Sequence, residues 1–527
     1  MSQSNNEIFI YEPVSNQESV PAWWENAGDF AQTSLPRSSK IQDRHDVEPV
    51  ILSTKESYEE EFYNPKFSNQ PKAESKDSKL NKIAKANKIQ TKDFAKEGWL
   101  IRRGHTLSYI GLFLFTLTVF FRPYELIPAL SSFTSMALVI ALLTLAVYLP
   151  TQVGLEGTVT ARPTEVNMIF IMIACGLLTV PIAKSPGLAW TSFNDVFIKA
   201  ALMFIVMVNV IRTEYRLKGI MWLSIAVGVW MSLNAIEDYL AGNFTIEGYR
   251  VQGSIGGMFG NPNDMALHLV TMIPIALVLF ISADNLLKRA VYGFCFVALV
   301  AGNMVTFSRG GFLGMIGCLA VLLWKLGKKR RLLVAVFGTL FLISMIALAP
   351  GNYGIRILSI FIPGLDPVGS SDHRSELLKQ SIIVTLRNPW GIGMGNFNIV
   401  SSRNLVSHNA YTQVSAEMGL IALFAYIVFL FRPLKRLREI EQETFNVSDR
   451  SKFYYLAIGL QASLIGYMVG SFFASVAYQW FVYYLVAYSI AFRRIYTLTQ
   501  DEKKENELTQ EEERGKLKQV KLLEANT

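Results

Sequence analysis

Three stretches of this chain hold residues whose types and spacing could do chemistry on an anion. The first runs from Arg250 to Gly260-Asn261-Pro262-Asn263 and holds four glycines, just ahead of an apolar segment. Glycines and an Asn-Pro-Asn turn let backbone amides face a ligand, and a following helix would add its positive dipole end. The second is Ser308-Arg309-Gly310-Gly311, wedged between two apolar runs. That loop is too short to carry a guanidinium far into water, so Arg309 is placed to clamp an oxyanion or a phosphate. The third supplies Asp372-His373-Arg374 and then Ser407-His408-Asn409. His408 sits where water meets a helix start, and an imidazole there can act near neutrality as a general base or a hydrogen-bond donor. Blander readings stand beside each of these: a flexible connector, an arginine reaching for lipid phosphate, a surface histidine. No phosphate loop of the G-x-x-x-x-G-K-[ST] kind and no H-E-x-x-H occurs, which argues against a nucleotide-driven pump and a membrane zinc protease. Cys175, Cys295 and Cys318 lie inside apolar runs without metal-ligand or disulfide spacing.

The elements that must position these residues follow from composition. Of 527 residues, 51% are hydrophobic and only 17% charged, and the polar residues concentrate at the two ends. Between them lie apolar runs long enough for about twelve transmembrane helices, from residues 106–121 to 478–492. The fold class is therefore an all-α polytopic membrane protein. The net charge of +8 does not imply nucleic acid, because the basic residues cluster in short loops such as Lys328-Lys329-Arg330-Arg331 and Arg493-Arg494. With about twelve spans these loops all fall on one side, which places both termini in the cytoplasm. The expected organisation is a largely disordered cytoplasmic tail over 1–104 with a basic membrane-proximal segment, and a membrane domain over 105–494. A charged cytoplasmic tail follows over 495–527. Arg250, Arg309 and one long loop, 350–407, then share the opposite face, where positive charge runs against the insertion bias and calls for an anionic partner.

In these residues the chain resembles the O-antigen ligase and polymerase superfamily, integral membrane glycosyltransferases of bacterial surface glycans. The resemblance covers about residues 104–494. It rests on Arg250 upstream of Gly260-Asn261-Pro262-Asn263, on Ser308-Arg309-Gly310-Gly311, on Pro389-Trp390-Gly391-Ile392-Gly393-Met394-Gly395, and on His408-Asn409 with Glu417-Met418-Gly419-Leu420. Each motif is short; their order, shared side and the long loop before the histidine make the combination specific. It implies a GT-C-like bundle in the bacterial inner membrane with its active site facing the periplasm and a large periplasmic loop between late spans. It implies a donor glycan on undecaprenyl diphosphate, no metal and no cofactor, and inverting transfer to a hydroxyl of lipid A core, of a growing glycan (polymerase) or of a protein (oligosaccharyltransferase), with the ligase reading favoured. By that resemblance Arg250, Arg309 and His408 are catalytic, while Arg374, Asn261, Asn263, Gly310 and Asn409 contact substrate. Membrane lipids are further partners. From another class, a membrane protein associated with transport of a small anion such as bicarbonate would use the same arginines, but it needs polar groups through the midplane and often repeated broken helices.

Overall fold

A computed structural model describes residues 104–133, 135–244, 250–251, 253, 259–327, 331–332, 336, 338–340, 343, 353–358, 370–402, 404–447 and 451–525. The amino-terminal tail, most of the glycine segment after Arg250, most of the apolar run near residue 340 and part of the 350–407 loop lie outside them. The bundle consists of α1 (Thr106–Phe121), α2 (Met136–Glu156), α3 (Thr164–Thr179), α4 (Pro186–Val210), α5 (Glu214–Leu240), α6 (Pro262–Ser282), α7 (Leu286–Val305) and α8 (Arg309–Leu326). After the loop region, which contributes α9 (Ser370–Arg387), come α10 (Ala410–Met418), α11 (Leu420–Thr444), α12 (Lys452–Gly470) and α13 (Trp480–Ala525). Among the described residues seven helices are long and apolar enough to cross a membrane, and α1 and α3 are shorter apolar helices. The chain is an all-α, multi-pass membrane protein.

Local sequence explains where the helices start. Thr213, Asn261, Asn285, Ser308, Asn409 and Ser451 each accept a hydrogen bond from a backbone amide two or three residues on, capping α5, α6, α7, α8, α10 and α12. Pro262 occupies the first turn of α6, where its missing amide costs nothing. Burial then sorts the helices. α6 is the most enclosed span and packs against α7, α8 and α12. α2, by contrast, exposes Leu138, Val139, Leu142 and Leu143, a surface that only lipid or another apolar surface would cover. Small residues bring α8 onto α12: a Cβ built on Gly314 would lie 2.8 Å from the Gly466 carbonyl oxygen.

Two features depart from the simplest reading of the apolar runs. α4 begins at Pro186, upstream of the run that starts at Phe197, and passes through a π-helical stretch at Phe193–Phe197. The run over 412–431, which reads as one span, is two helices broken at Gly419, whose φ is 89°. Polar contacts assign the helix ends. Arg212 donates to Gln152 Oε1 at 3.1 Å and pairs with Glu156, which Arg494 approaches at 3.6 Å. Lys325 pairs with Glu441, and Arg493 lies 3.4 Å from Glu165. These contacts gather the starts of α3 and α5 and the ends of α2, α4 and α8 at one end of the bundle. The starts of α6, α8 and α10 lie at the other.

Candidate active site

The end opposite the ion pairs holds the arginine and histidine motifs. Ser308 caps α8 through its Oγ, which accepts from the Gly311 amide at 3.2 Å. Arg309 thereby becomes the first residue of the helix, largely buried. The residue before the cap, Phe307, has φ 52°, a left-handed conformation uncommon for a bulky side chain. Its ring packs against Tyr239 and Tyr353, with centroids 6.0 and 5.5 Å away, so the strained turn is held by its surroundings.

Arg250 and Asn263 brace this turn from below. The buried Arg250 guanidinium donates through Nε to the Thr306 carbonyl at 3.1 Å and through an η nitrogen to Asn263 Oδ1 at 2.9 Å. The same Asn263 oxygen accepts from Ser308 Oγ at 2.9 Å. One amide oxygen on α6 therefore joins the segment before that helix to the cap of α8, and Arg250 carries the link on to the end of α7. Asn261 caps α6 and accepts from the Asn263 amide at 2.8 Å, which orients Asn263 itself.

His408 comes from the other side. It too has a positive φ, 50°, and precedes Asn409, which caps α10 by accepting from the Tyr411 and Thr412 amides at 2.9 and 3.0 Å. Asn409 Nδ2 donates to the Phe472 carbonyl at 3.0 Å, tying the histidine turn to the end of α12. Above lies α9, anchored by Leu377 in a cluster with Ile392, Phe397 and Ala416, and by a 2.9 Å hydroxyl contact between Thr385 and Ser415. That anchorage presents Arg374. Arg309, Arg374, His408 and Asn409 line one cavity of about 260 Å³, with Leu313, Phe472 and Phe473 among its apolar walls. Burial, and secondarily the Arg374 charge, hold the His408 imidazole down to about 4. The ring is neutral at physiological pH and can accept a proton.

The Pro389 to Phe397 segment has a structural task. Leu420 N donates to the Pro389 carbonyl at 2.9 Å, while Ile392 N and Gly393 N donate to the Ala416 and Glu417 carbonyls at 3.0 Å each. These are the backbone groups that the break at Gly419 leaves without helical partners, so the segment completes a discontinuous helix from outside. Gly391 is required at the contact: its φ is 93°, and a Cβ there would lie 2.6 Å from the Glu417 carbonyl oxygen. Asn396 pairs its side-chain amide with the Ser185 backbone, accepting at 2.7 Å and donating at 3.3 Å, and so fastens the segment to the start of α4.

Residues 294–427 match the O-Antigen ligase family model. No curated protein and no solved structure matches the chain. The matched quarter of the chain is similar to that family in the part that contains Arg309, Arg374, His408, Asn409 and the 389–397 segment, and it supports a glycosyltransferase-like role. Arg250, Asn261 and Asn263 precede the match. In the structure none of the three lines the cavity: Arg250 and Asn263 are bonded to the turn that carries Arg309, the exposed Asn261 is linked to it only through the Asn263 amide, and Gly310 packs against Phe473, whose Cβ a side chain would meet at 3.0 Å. Sequence reasoning did not single out Ser308 as a bridge or Phe472 and Phe473 as walls. A serine immediately before an Arg-Gly-Gly helix start was a readable cap signal for the first; nothing local marked the phenylalanines. His268 is enclosed by Phe120 and Phe259, with centroids 5.5 and 5.1 Å away, as a packed residue.

Proposed function

We propose that this chain transfers a glycan from undecaprenyl diphosphate to an acceptor hydroxyl, with lipid A core favoured as acceptor over a growing glycan or a protein. The observation that carries the reading is the convergence of Arg309, Arg374 and His408 on one cavity at one end of a membrane bundle. As the bond between the anomeric carbon and the diphosphate breaks, negative charge grows on the leaving phosphate, and two guanidiniums in a partly enclosed site stabilise it without a divalent ion. The neutral imidazole of His408 accepts the proton of the incoming hydroxyl as its oxygen bonds to the anomeric carbon from the opposite face, which inverts that centre. Arg250 assists by fixing the turn that carries Arg309. In this reading the bundle has about twelve spans, both termini are cytoplasmic, the 350–407 loop is periplasmic, and the cavity opens at the periplasmic face of the bacterial inner membrane.

Purified protein in lipid, given undecaprenyl-diphosphate glycan and an acceptor extract, should release free undecaprenyl diphosphate, while Arg309→Ala and His408→Ala insert normally and release none. The acceptor fraction that supports release identifies the subtype. Wild-type release by both variants would remove the site assignment, and no release with any acceptor would move the weight to anion transport, tested next by uptake in proteoliposomes.

A further inference from the structure

At the end of the bundle opposite the arginine and histidine cavity, a second cavity of about 150 Å³ opens among α5, α6, α7, α12 and α13. Its rim carries Lys218, Lys288 and Lys452 together with Glu214 and Asp284. The three lysines come from the starts of three different helices, Lys288 and Lys452 in the first turns of α7 and α12 and Lys218 one turn into α5. Lys452 Nζ bonds Asp284 Oδ2 at 3.0 Å and Lys218 pairs with Glu214, whereas among the described residues Lys288 makes no ion pair. Lys288 and Lys218 nonetheless lie close enough to act on the Asp284 carboxyl, which the hydrogen bond from Lys452 first of all holds below its ordinary range. Three ammonium groups face two carboxylates, an excess of one positive charge. The floor is apolar, built from Val278, Leu279, Leu456 and Phe492.

The level of the cavity narrows the choice of anion. α5, α7 and α12 begin here and α6 ends here, and all four belong to candidate spans, so the rim stands where the bundle leaves the apolar slab. Tyr292 on the rim stacks on Trp222, with centroids 4.9 Å apart, an aromatic pair of the kind that settles at the membrane boundary. The N-termini of the three helices add positive dipole ends to the lysines. A soluble anion would gain the charge but would leave the apolar floor wet. An anionic lipid satisfies both parts.

We propose that this cavity is a binding site for an anionic glycerophospholipid, its phosphate among Lys218, Lys288 and Lys452 and the start of its acyl region against the floor. The site is independent of the glycosyl-transfer reading and tests separately from it. The full chain is placed in nanodiscs of phosphatidylcholine containing increasing phosphatidylglycerol, its unfolding temperature is measured, and lipid retained after transfer to detergent is identified by native mass spectrometry. Phosphatidylglycerol should raise the unfolding temperature and remain bound. Lys288→Gln, which disturbs neither ion pair, should weaken that affinity about five-fold. Leu456→Trp, which fills the floor, should abolish it; if that variant does not fold, Lys288→Gln decides alone. Lys504→Gln, removing the same charge from the distal part of α13, should leave it unchanged. Equal stabilisation by phosphatidylcholine, an unchanged preference in Lys288→Gln, or an equal loss in Lys504→Gln would overturn the proposal. So would inorganic phosphate reproducing the whole effect, which would mark a soluble-anion site.

Discussion

Asn263 offers the sharpest test of how the candidate site is built, because a single oxygen accepts from both Arg250 and Ser308, each at 2.9 Å. Asn263→Ala removes the shared acceptor, and with it both hydrogen bonds, and leaves the buried guanidinium of Arg250 short of one partner. A hydrogen bond to a charged group contributes about 1.5–3 kcal/mol and the neutral one from Ser308 about 0.5–1.5 kcal/mol, so the variant should lose roughly 2–4.5 kcal/mol between stability and positioning. Asn263→Asp keeps an acceptor for both partners and should lose far less. The assay is a double-mutant cycle over Asn263→Ala and Ser308→Ala, read both as unfolding in nanodiscs and as single-turnover release of undecaprenyl diphosphate. If the two positions act through the shared oxygen, the cycle returns a coupling of about 0.5–1.5 kcal/mol, and the cap lost from Gly311 in Ser308→Ala cancels out of it. Strictly additive effects, or Asn263→Ala behaving as wild type, would refute the claim that this oxygen holds the Arg309 turn.

Other consequences can be measured with the same material. Gly391→Ala combines a φ of 93° with a Cβ 2.6 Å from the Glu417 carbonyl oxygen, backbone that cannot retreat without breaking the bonds across the Gly419 break. It should cost about 3 kcal/mol or more and show as a fall in the yield of folded protein, whereas Gly187→Ala, with open space around it, should be harmless. For His408, held down to about 4 by burial and then by Arg374, the free enzyme carries a neutral ring throughout the range above that value. The acid limb of the kcat/KM profile should therefore lie well below the ordinary histidine range, and Arg374→Gln should move it upward in pH by removing the second cause. The unfolded chain takes up the proton first as pH falls, so this residue's contribution to stability is lost between about pH 6.5 and about pH 4, and His408→Gln should flatten that part of the stability curve.

The sequence made some parts of this architecture legible and hid others for identifiable reasons. Asn261-Pro262, Ser308 and Asn409 are helix starts by local rules, so the places where Arg309 and His408 enter the bundle could be read without any tertiary knowledge. Apolar length was equally plain. The break at Gly419 was not, because residues 412–431 form a continuous apolar run and the groups that replace the missing helical bonds arrive from Pro389, Ile392 and Gly393, non-local partners that no periodicity announces. The extension of α4 back to Pro186 was hidden by Asp195, a charge just ahead of the apolar run that interrupts hydropathy while pairing with Lys199 at 3.3 Å along the same helix. Arg250 was legible as an arginine that needs a partner; that its partners include the Thr306 carbonyl and Asn263 depends on how α6 and α7 pack.

The left-handed residues beside both chemical groups bear on how this protein could be altered. Phe307 stands two residues before Arg309, and His408 is itself the candidate base; their φ values are 52° and 50°. Such a backbone costs a side-chain-bearing residue about 1–2 kcal/mol, which glycine would not incur. Selection for heat resistance would therefore find backbone relief at the position that carries the imidazole, and would trade catalysis for robustness there. A thermostabilised variant obtained by screening on folded yield alone should be checked first at position 408.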